Sequence, residues 1–234
     1  GIGLTPARGI LSETAVTHMA ERVQALGGYV SYRSNGDGTQ SAYELNVNYL
    51  DALGDPAHPH EPAELAARRF LGAQAIMLAL RGVPGIYFHS LFGSRNWREG
   101  VAATGRYRTI NREKLTVDRL NRELETEDGL RRLVFAGYRR LLAARTGHPA
   151  FHPMAAQEIV PVHEAVLAIR RGGENGRAPL LCLHNVSRQP QTIQLDRLPG
   201  PQQDLITGEV FIGQNKPFTL TMRPYQVLWL TEAQ

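Results

Sequence analysis

At 234 residues, 42% hydrophobic and 21% charged, the chain has the composition of a globular protein able to bury one large or two small cores. The net charge of +4 includes only two lysines, Lys114 and Lys216, and the arginines run from Arg8 to Arg223 interleaved with acids; this argues against the concentrated basic face of a nucleic-acid binder. One cysteine, Cys182, excludes an intramolecular disulfide framework or cysteine-rich zinc site. With no leader pattern after Gly1 and no apolar run near the roughly 20 residues of a membrane span, a soluble cytoplasmic protein is expected.

In chain order, Ser12 offers an N-cap, Val16, Met19, Ala20, Val23 and Leu26 share one helical face, and Gly27-Gly28 ends the helix. Tyr29–Tyr32 reads as a short strand and Ser34–Gly38 as a turn-rich loop. Tyr43–Leu53 alternates aliphatic residues with Asn and Tyr and reads as an irregular segment beside a site. Asp55–Pro62, with three prolines and two histidines, is a loop whose Pro62 can open a helix. Residues 63–80 are apolar around most of their circumference, as a buried helix is.

Ile86-Tyr87-Phe88 then reads as a parallel strand buried on both faces. In a barrel, the polar residues just past it, His89, Ser90 and Ser94, would lie on the face where active sites are built. Residues 93–112 read as a long loop of functional length. Residues 115–145 read as two helices, the first capped by Thr116, the second by Thr126 with Glu127 and Asp128 in its first turn. From Gln157 the pattern becomes short alternating strands: 159–162, 165–170, 180–184, 192–195, 204–206, 209–211, 218–222 and 226–230. The expected fold is α/β plus all-β: the C-terminal part of a (β/α)8 TIM barrel over residues 1–153, followed by a small antiparallel β domain over 154–234.

Leu80–Ser94 (LRGVPGIYFHSLFGS), Tyr43–Leu53 (YELNVNYLDAL) and Thr109–Arg112 (TINR) together resemble the sucrose phosphorylase subgroup of the α-amylase superfamily (glycoside hydrolase family 13), particularly its glucosylglycerate phosphorylase-like branch. The resemblance covers about residues 1–150 well and the β domain only generally. It implies glucosyl transfer from a small glucoside to inorganic phosphate by double displacement, giving α-glucose 1-phosphate with retained configuration and needing no metal or organic cofactor. Such chemistry takes two carboxylic groups about 5–5.5 Å apart. In the family the nucleophilic Asp, the acid/base Glu and a stabilising Asp all precede the Gly-Ile-Gly that matches Gly1–Gly3. The resemblance therefore implies a C-terminal fragment that does not catalyse alone and that self-associates through open strand edges.

Site residues follow from the same resemblance. Tyr43 matches an acceptor-loop tyrosine. Ser41 and Glu44 stand where sucrose phosphorylases usually have Asp and Gln, which disfavours fructose and favours glycerate or another small polyol acid. Arg112, in Asn111-Arg112, matches an arginine that hydrogen-bonds glucosyl hydroxyls, for which a guanidinium supplies several fixed donors. Glu113 replaces the histidine common after it, so Arg106 and Arg108 stand as alternatives. His89 is either a structural hydrogen bonder or a substrate contact, and Arg95 with Trp97 could wall an acceptor pocket. His58 and His60 lack the supporting ligands of a metal site and read as a solvated loop. A different class of reading is a stand-alone carbohydrate-binding module on the β domain, with Phe211, Phe218, Tyr225 and Trp229 as its aromatics, although Phe218 and Trp229 sit in core-like alternation.

Overall fold

The computed structural model describes residues 2–173, 179–195, 200–212 and 217–233. The chain divides into two compact units, Gly1–Ala66 with Ile86–Leu133, and Ala67–Gly85 with Val134–Gln234. The change from helices to strands falls elsewhere, between Phe151 and Gln157.

In the first unit, β1 (Ile2–Gly3), β2 (Tyr29–Ser34) and β3 (Gln40–Asn46) form an antiparallel sheet of order β1-β3-β2. Helix α1 (Glu13–Ala25) covers it, burying Ala20 and Val23 against Leu4, Val30, Leu45 and Val47. Its cap is the expected one: the Ala15 N–H donates to Ser12 Oγ at 3.1 Å. Gly28 is required by packing, because a Cβ there would sit 2.7 Å from Val23 Cγ1 and 2.8 Å from the Asn46 carbonyl oxygen. The segment read as irregular is instead strand β3, followed by the single turn α2 (Tyr49–Ala52). The hairpin is closed by Asp37, whose carboxylate accepts from the Thr39 N–H (2.9 Å) and hydroxyl (2.6 Å).

Helix α3 (Ala63–Ala79) forms as expected, with Pro62 just before its first residue. The buried parallel strand at Ile86–Phe88 does not form. Tyr87 is extended, but Phe88–Leu91 is a helical turn, α4, and every strand pair described is antiparallel. A strand exists only through its ladder partners; with none described here, Val83 is 82% and Tyr87 51% exposed. The expected long loop at 93–112 contains α5 (Arg98–Thr104) and a 3-10 turn, Tyr107–Asn111. Thr116 caps α6 (Val117–Glu125), but Thr126 ends that helix rather than opening the next. Helix α7 (Leu130–Gly147) has no acid in its first turn, and Asp128 adopts a positive φ of 54° in the connection.

The second unit holds most of α3 and α7 and, among the described residues, the strands β4 (Gln157–His163), β5 (Val166–Arg171), β6 (Leu180–Asn185), β7 (Gln191–Leu195), β8 (Gln202–Asp204), β9 (Val210–Phe211), β10 (Phe218–Met222) and β11 (Val227–Glu232). They make an antiparallel sheet of order β4-β5-β6-β11-β8-β9 and a two-stranded ladder, β10-β7. Leu181, Leu183, Ile193, Leu220, Met222, Leu228 and Leu230 fill one core. Phe151 packs on Trp229, ring centroids 4.6 Å apart. Trp229 is fully buried and Phe218 nearly so, so neither offers a carbohydrate platform. Burial also raises the Cys182 thiol pKa, leaving it a protonated core residue. Among the described residues no helix is long and apolar enough to cross a membrane.

Candidate substrate-positioning site

The five expected site residues are held in one unit by a continuous run of contacts. Glu44 on β3 accepts a hydrogen bond from Arg108 Nε at 2.9 Å, bringing the hairpin and the 3-10 turn together. Tyr29 and Tyr107 stack in the same place, centroids 4.7 Å apart. Hydrogen bonding to Glu44 raises the Arg108 pKa, with its charge and that of Tyr43 acting in the same direction. Tyr43 is half-buried, and its carbonyl accepts from the Leu4 N–H at 2.9 Å. The Asn111 carbonyl accepts from the Tyr87 hydroxyl at 2.9 Å. Arg112 is exposed, its backbone N–H closing the turn onto Thr109. It is thus Arg108, one of the two alternatives, that is fixed by an acid, while Arg112 presents a guanidinium to solvent.

His89 is buried, with the Tyr87 and Phe88 rings edge-on at 5.3 Å. Its Nδ1 lies 2.9 Å from Ser94 Oγ, and Arg131 Nη1 reaches the same oxygen at 3.1 Å. A guanidinium only donates, so Ser94 Oγ accepts from Arg131 and has its own proton free for His89 Nδ1. Burial lowers the His89 pKa; Glu113 opposes the shift and Arg131 adds to it. Which ring nitrogen of His89 donates and which accepts depends on the tautomer.

Arg131 also donates to the Phe92 carbonyl (2.7 Å) and to Glu123 (2.6 Å). Glu123 accepts from Arg119 (2.7 Å), which also donates to Glu113 (2.6 Å). Burial pushes the Glu123 pKa up, but the hydrogen bonds from Arg119 and Arg131 outweigh it and hold the carboxylate below its ordinary range. This network lines a cavity of about 400 Å³ whose other walls include Arg95, Asn96 and Trp97. The 95–96 segment is anchored by Asp51, whose carboxylate accepts from Arg95 Nε and the Asn96 N–H, and by Asn48, whose N–H donates to Asn96 Oδ1 at 2.7 Å. The spacing of Arg119 and Glu123, four apart on a helix, was a visible signal; the bonds of Arg131 to Phe92 and Ser94 and of Asp51 to Arg95 and Asn96 span 37 to 45 residues and left none. His58 pairs with Asp55 at 2.8 Å in an exposed loop, and no cluster of three metal-ligating side chains occurs among the described residues.

No protein-family model matches the chain. It is 42% identical to a glucosylglycerate phosphorylase of Spirochaeta thermophila over 99% of its own length, and 38% identical to one of Escherichia coli over 98%. It spans about 40% of the length of these curated relatives. Among solved structures, sucrose 6F-phosphate phosphorylase from Thermoanaerobacter thermosaccharolyticum aligns over 91% of the chain and 39% of its own, with a TM-score of 0.62 at 18% identity. That likeness carries the fold alone: part of a (β/α)8-barrel enzyme with its antiparallel β region. Over nearly its whole length the chain is thus similar to part of the glucosylglycerate phosphorylases.

Proposed function

We propose that the chain is the substrate-positioning part of an α-glucoside phosphorylase that transfers glucosyl from glucosylglycerate, or a closely similar small polyol-acid glucoside, to inorganic phosphate. The observation that carries this reading is the 42% identity to a glucosylglycerate phosphorylase across nearly the whole chain. In the reaction a carboxylate attacks the anomeric carbon while a carboxylic acid protonates the departing glycerate oxygen. Phosphate then displaces the carboxylate and gives up a proton to the second group, so α-configuration is retained. In this reading the nucleophile and the acid/base lie outside these 234 residues.

The residues present bind and orient. Arg112 and Asn111 contact glucosyl hydroxyls, and Tyr43 with Glu44 shapes the acceptor side. Glu44 also fixes Arg108, and the free ring nitrogen of His89 hydrogen-bonds the substrate. The exposed guanidinium of Arg112 suits a site that must admit two anions in turn, glycerate and phosphate. The test is to incubate the full-length protein carrying this chain with glucosylglycerate, with and without phosphate. Phosphate-dependent release of α-glucose 1-phosphate is expected. No release from glucosylglycerate, glucosylglycerol or sucrose overturns the reading. The 234-residue chain alone is expected to release none, and to self-associate through its exposed 83–88 segment; a monodisperse monomer in sedimentation velocity would count against the second expectation.

A further inference from the structure

Three histidines of the second unit make the same kind of bond. The Nδ1 of His148 accepts from the Ala150 N–H at 3.2 Å, that of His152 from the Met154 N–H at 3.2 Å, and that of His163 from the Ala165 N–H at 3.1 Å. In each case the ring reaches the amide two residues on, as an Asn or Asp oxygen does when it closes an Asx turn. The backbone follows the same turns. The His148 carbonyl accepts from the Phe151 N–H at 3.1 Å, the His152 carbonyl from the Ala155 N–H at 2.9 Å, and His163 pairs with Val166 where β4 turns into β5. A backbone N–H can only donate, so each Nδ1 is bare and each neutral ring keeps its proton on Nε2.

The three turns follow one another along the chain. His148 opens the 3-10 turn Pro149–Phe151 after α7, His152 opens the turn leading to β4, and His163 closes β4 onto β5. Between them they set Phe151, which packs on Trp229, and the His152 carbonyl, which accepts from Arg171 at 3.1 Å. None of the three ring bonds survives protonation, because an imidazolium presents an N–H where the turn needs a lone pair and two donors then face each other. The charged groups on the surrounding elements do not remove that conflict. Arg145 lies over the Phe151 ring at 5.4 Å, Arg171 sits at the His152 carbonyl, and Arg81 follows α3, its N–H donating to Gln157 of β4 at 2.7 Å; no guanidinium can accept from an imidazolium. Glu158 of β4 is paired with Arg170, β7 carries no charged residue, and Glu164 in the β4–β5 turn is exposed and screened by solvent. Burial lowers the His148 pKa. We propose that residues 148–165 form a pH-sensitive latch: with the three rings neutral the segment is held shut, and on their protonation it opens while the central strands of the sheet stay paired. The bonds are whole above the imidazole range and are lost as pH falls through it. The latch stands whether or not the phosphorylase reading does.

Hydrogen exchange of the full-length protein carrying this chain tests the latch. It is read by mass spectrometry at about pH 8 and about pH 5, either side of the ordinary imidazole value, and corrected for the intrinsic effect of pH on amide exchange. Peptides containing Ala150, Met154 and Ala165 should lose protection in acid by roughly fivefold each, the factor that one ordinary hydrogen bond is worth. Peptides from β6 and β11 should keep theirs. Replacing the three rings together, by His148→Asn, His152→Asn and His163→Asn, offers the same N–H groups a side-chain oxygen that does not titrate. That variant should match the parent at the higher pH and stay protected at the lower one. Protection that does not change with pH overturns the proposal. So does an acid loss of equal size in the asparagine variant, which would assign the opening to another group such as His184. A second readout needs no variant: the ring 15N shifts of the parent at the higher pH should show a bare Nδ1 in all three histidines, and a proton there would overturn the latch by itself.

Discussion

The two units bury their arginines in opposite ways. In the first, Arg108 pairs with Glu44, Arg119 with Glu113 and Glu123, and Arg131 with Glu123. In the second, Arg145 donates to the carbonyls of Leu78 and Gly82, and Arg171 to those of Ala79 and His152. Among the described residues no acid accompanies those bonds. Burial lowers the pKa of both, and Arg145 lowers that of Arg171 further. The carbonyl end of α3, at Leu78 and Ala79, offsets part of their charge, because it carries the negative pole of the helix and otherwise unsatisfied acceptors. The contrast separates purposes. Partly exposed ion pairs contribute little stability but fix directions and can exchange partners with a ligand. Guanidiniums sealed onto a helix end contribute stability and offer nothing to a ligand.

The largest effect is therefore expected from Arg171. Arg171→Ala removes the donors to the Ala79 and His152 carbonyls, the first of them buried, and opens a cavity, for a loss of about 4 kcal/mol. Arg171→Met keeps most of the volume and should cost about half as much. Urea midpoints of the two variants measure the difference; equal losses would mean that the lost hydrogen bonds, and not packing, account for the effect.

His184, buried on β6 with Nδ1 3.2 Å from the Leu167 carbonyl oxygen, gives the second unit a dependence on pH. Desolvation lowers its pKa to about 4, opposed by backbone hydrogen bonds, against an unfolded value near 6.5. Between these values the unfolded chain binds the extra proton, so stability is complete above about pH 6.5 and falls as pH drops to about 4, by roughly 3 kcal/mol in all. Stability curves of the chain and of His184→Gln should diverge in that window; parallel curves would remove His184 as the cause.

Gly28→Ala should come next, in the first unit. The added methyl meets the Asn46 carbonyl at 2.8 Å, and backbone cannot step aside as a side-chain tip can. A loss of about 2 kcal/mol follows from overpacking of this kind, readable as a lower melting temperature. A neutral effect would show that β3 shifts freely against α1.

The legibility of these features in the sequence followed the range of the forces involved. The strands of the second unit were readable because alternation and turn residues act locally: 218–222 coincides with β10, and 180–184 falls one residue short of β6. The α1 cap and the buried α3 helix were local as well. The misreadings share one cause. Ile86–Phe88 has the composition of a buried strand, but a strand is defined by neighbours, and none is described beside it. Tyr43–Leu53 reads as irregular only until the Asp37–Thr39 turn is seen to fold β3 back on β2. In the site, motif resemblance pointed to Tyr43, Glu44, Asn111, Arg112 and His89, and the structure links them through Arg108, Tyr107 and Tyr87. The side chains that do the linking were the least visible, because each acts across dozens of residues of chain.

The smallest expected stability effect belongs to the bond that the proposed function needs most. Glu44→Gln keeps the shape of the side chain and a weaker acceptor for Arg108. The pair is largely solvent-screened, with the Arg108 side chain 59% exposed, so the loss in stability should stay below about 1 kcal/mol. If Glu44 sets the acceptor side, the full-length enzyme carrying Glu44→Gln should show a KM for glucosylglycerate raised severalfold, with that for phosphate and the kcat of phosphorolysis nearly unchanged. That split follows from an interaction made equally in the ground and transition states. A kcat loss with unchanged KM would place Glu44 nearer the bond being broken. Unchanged kinetics would leave the Glu44–Arg108 bond as a fastening of hairpin to turn, a role within the first unit that any hydrogen-bond acceptor could fill.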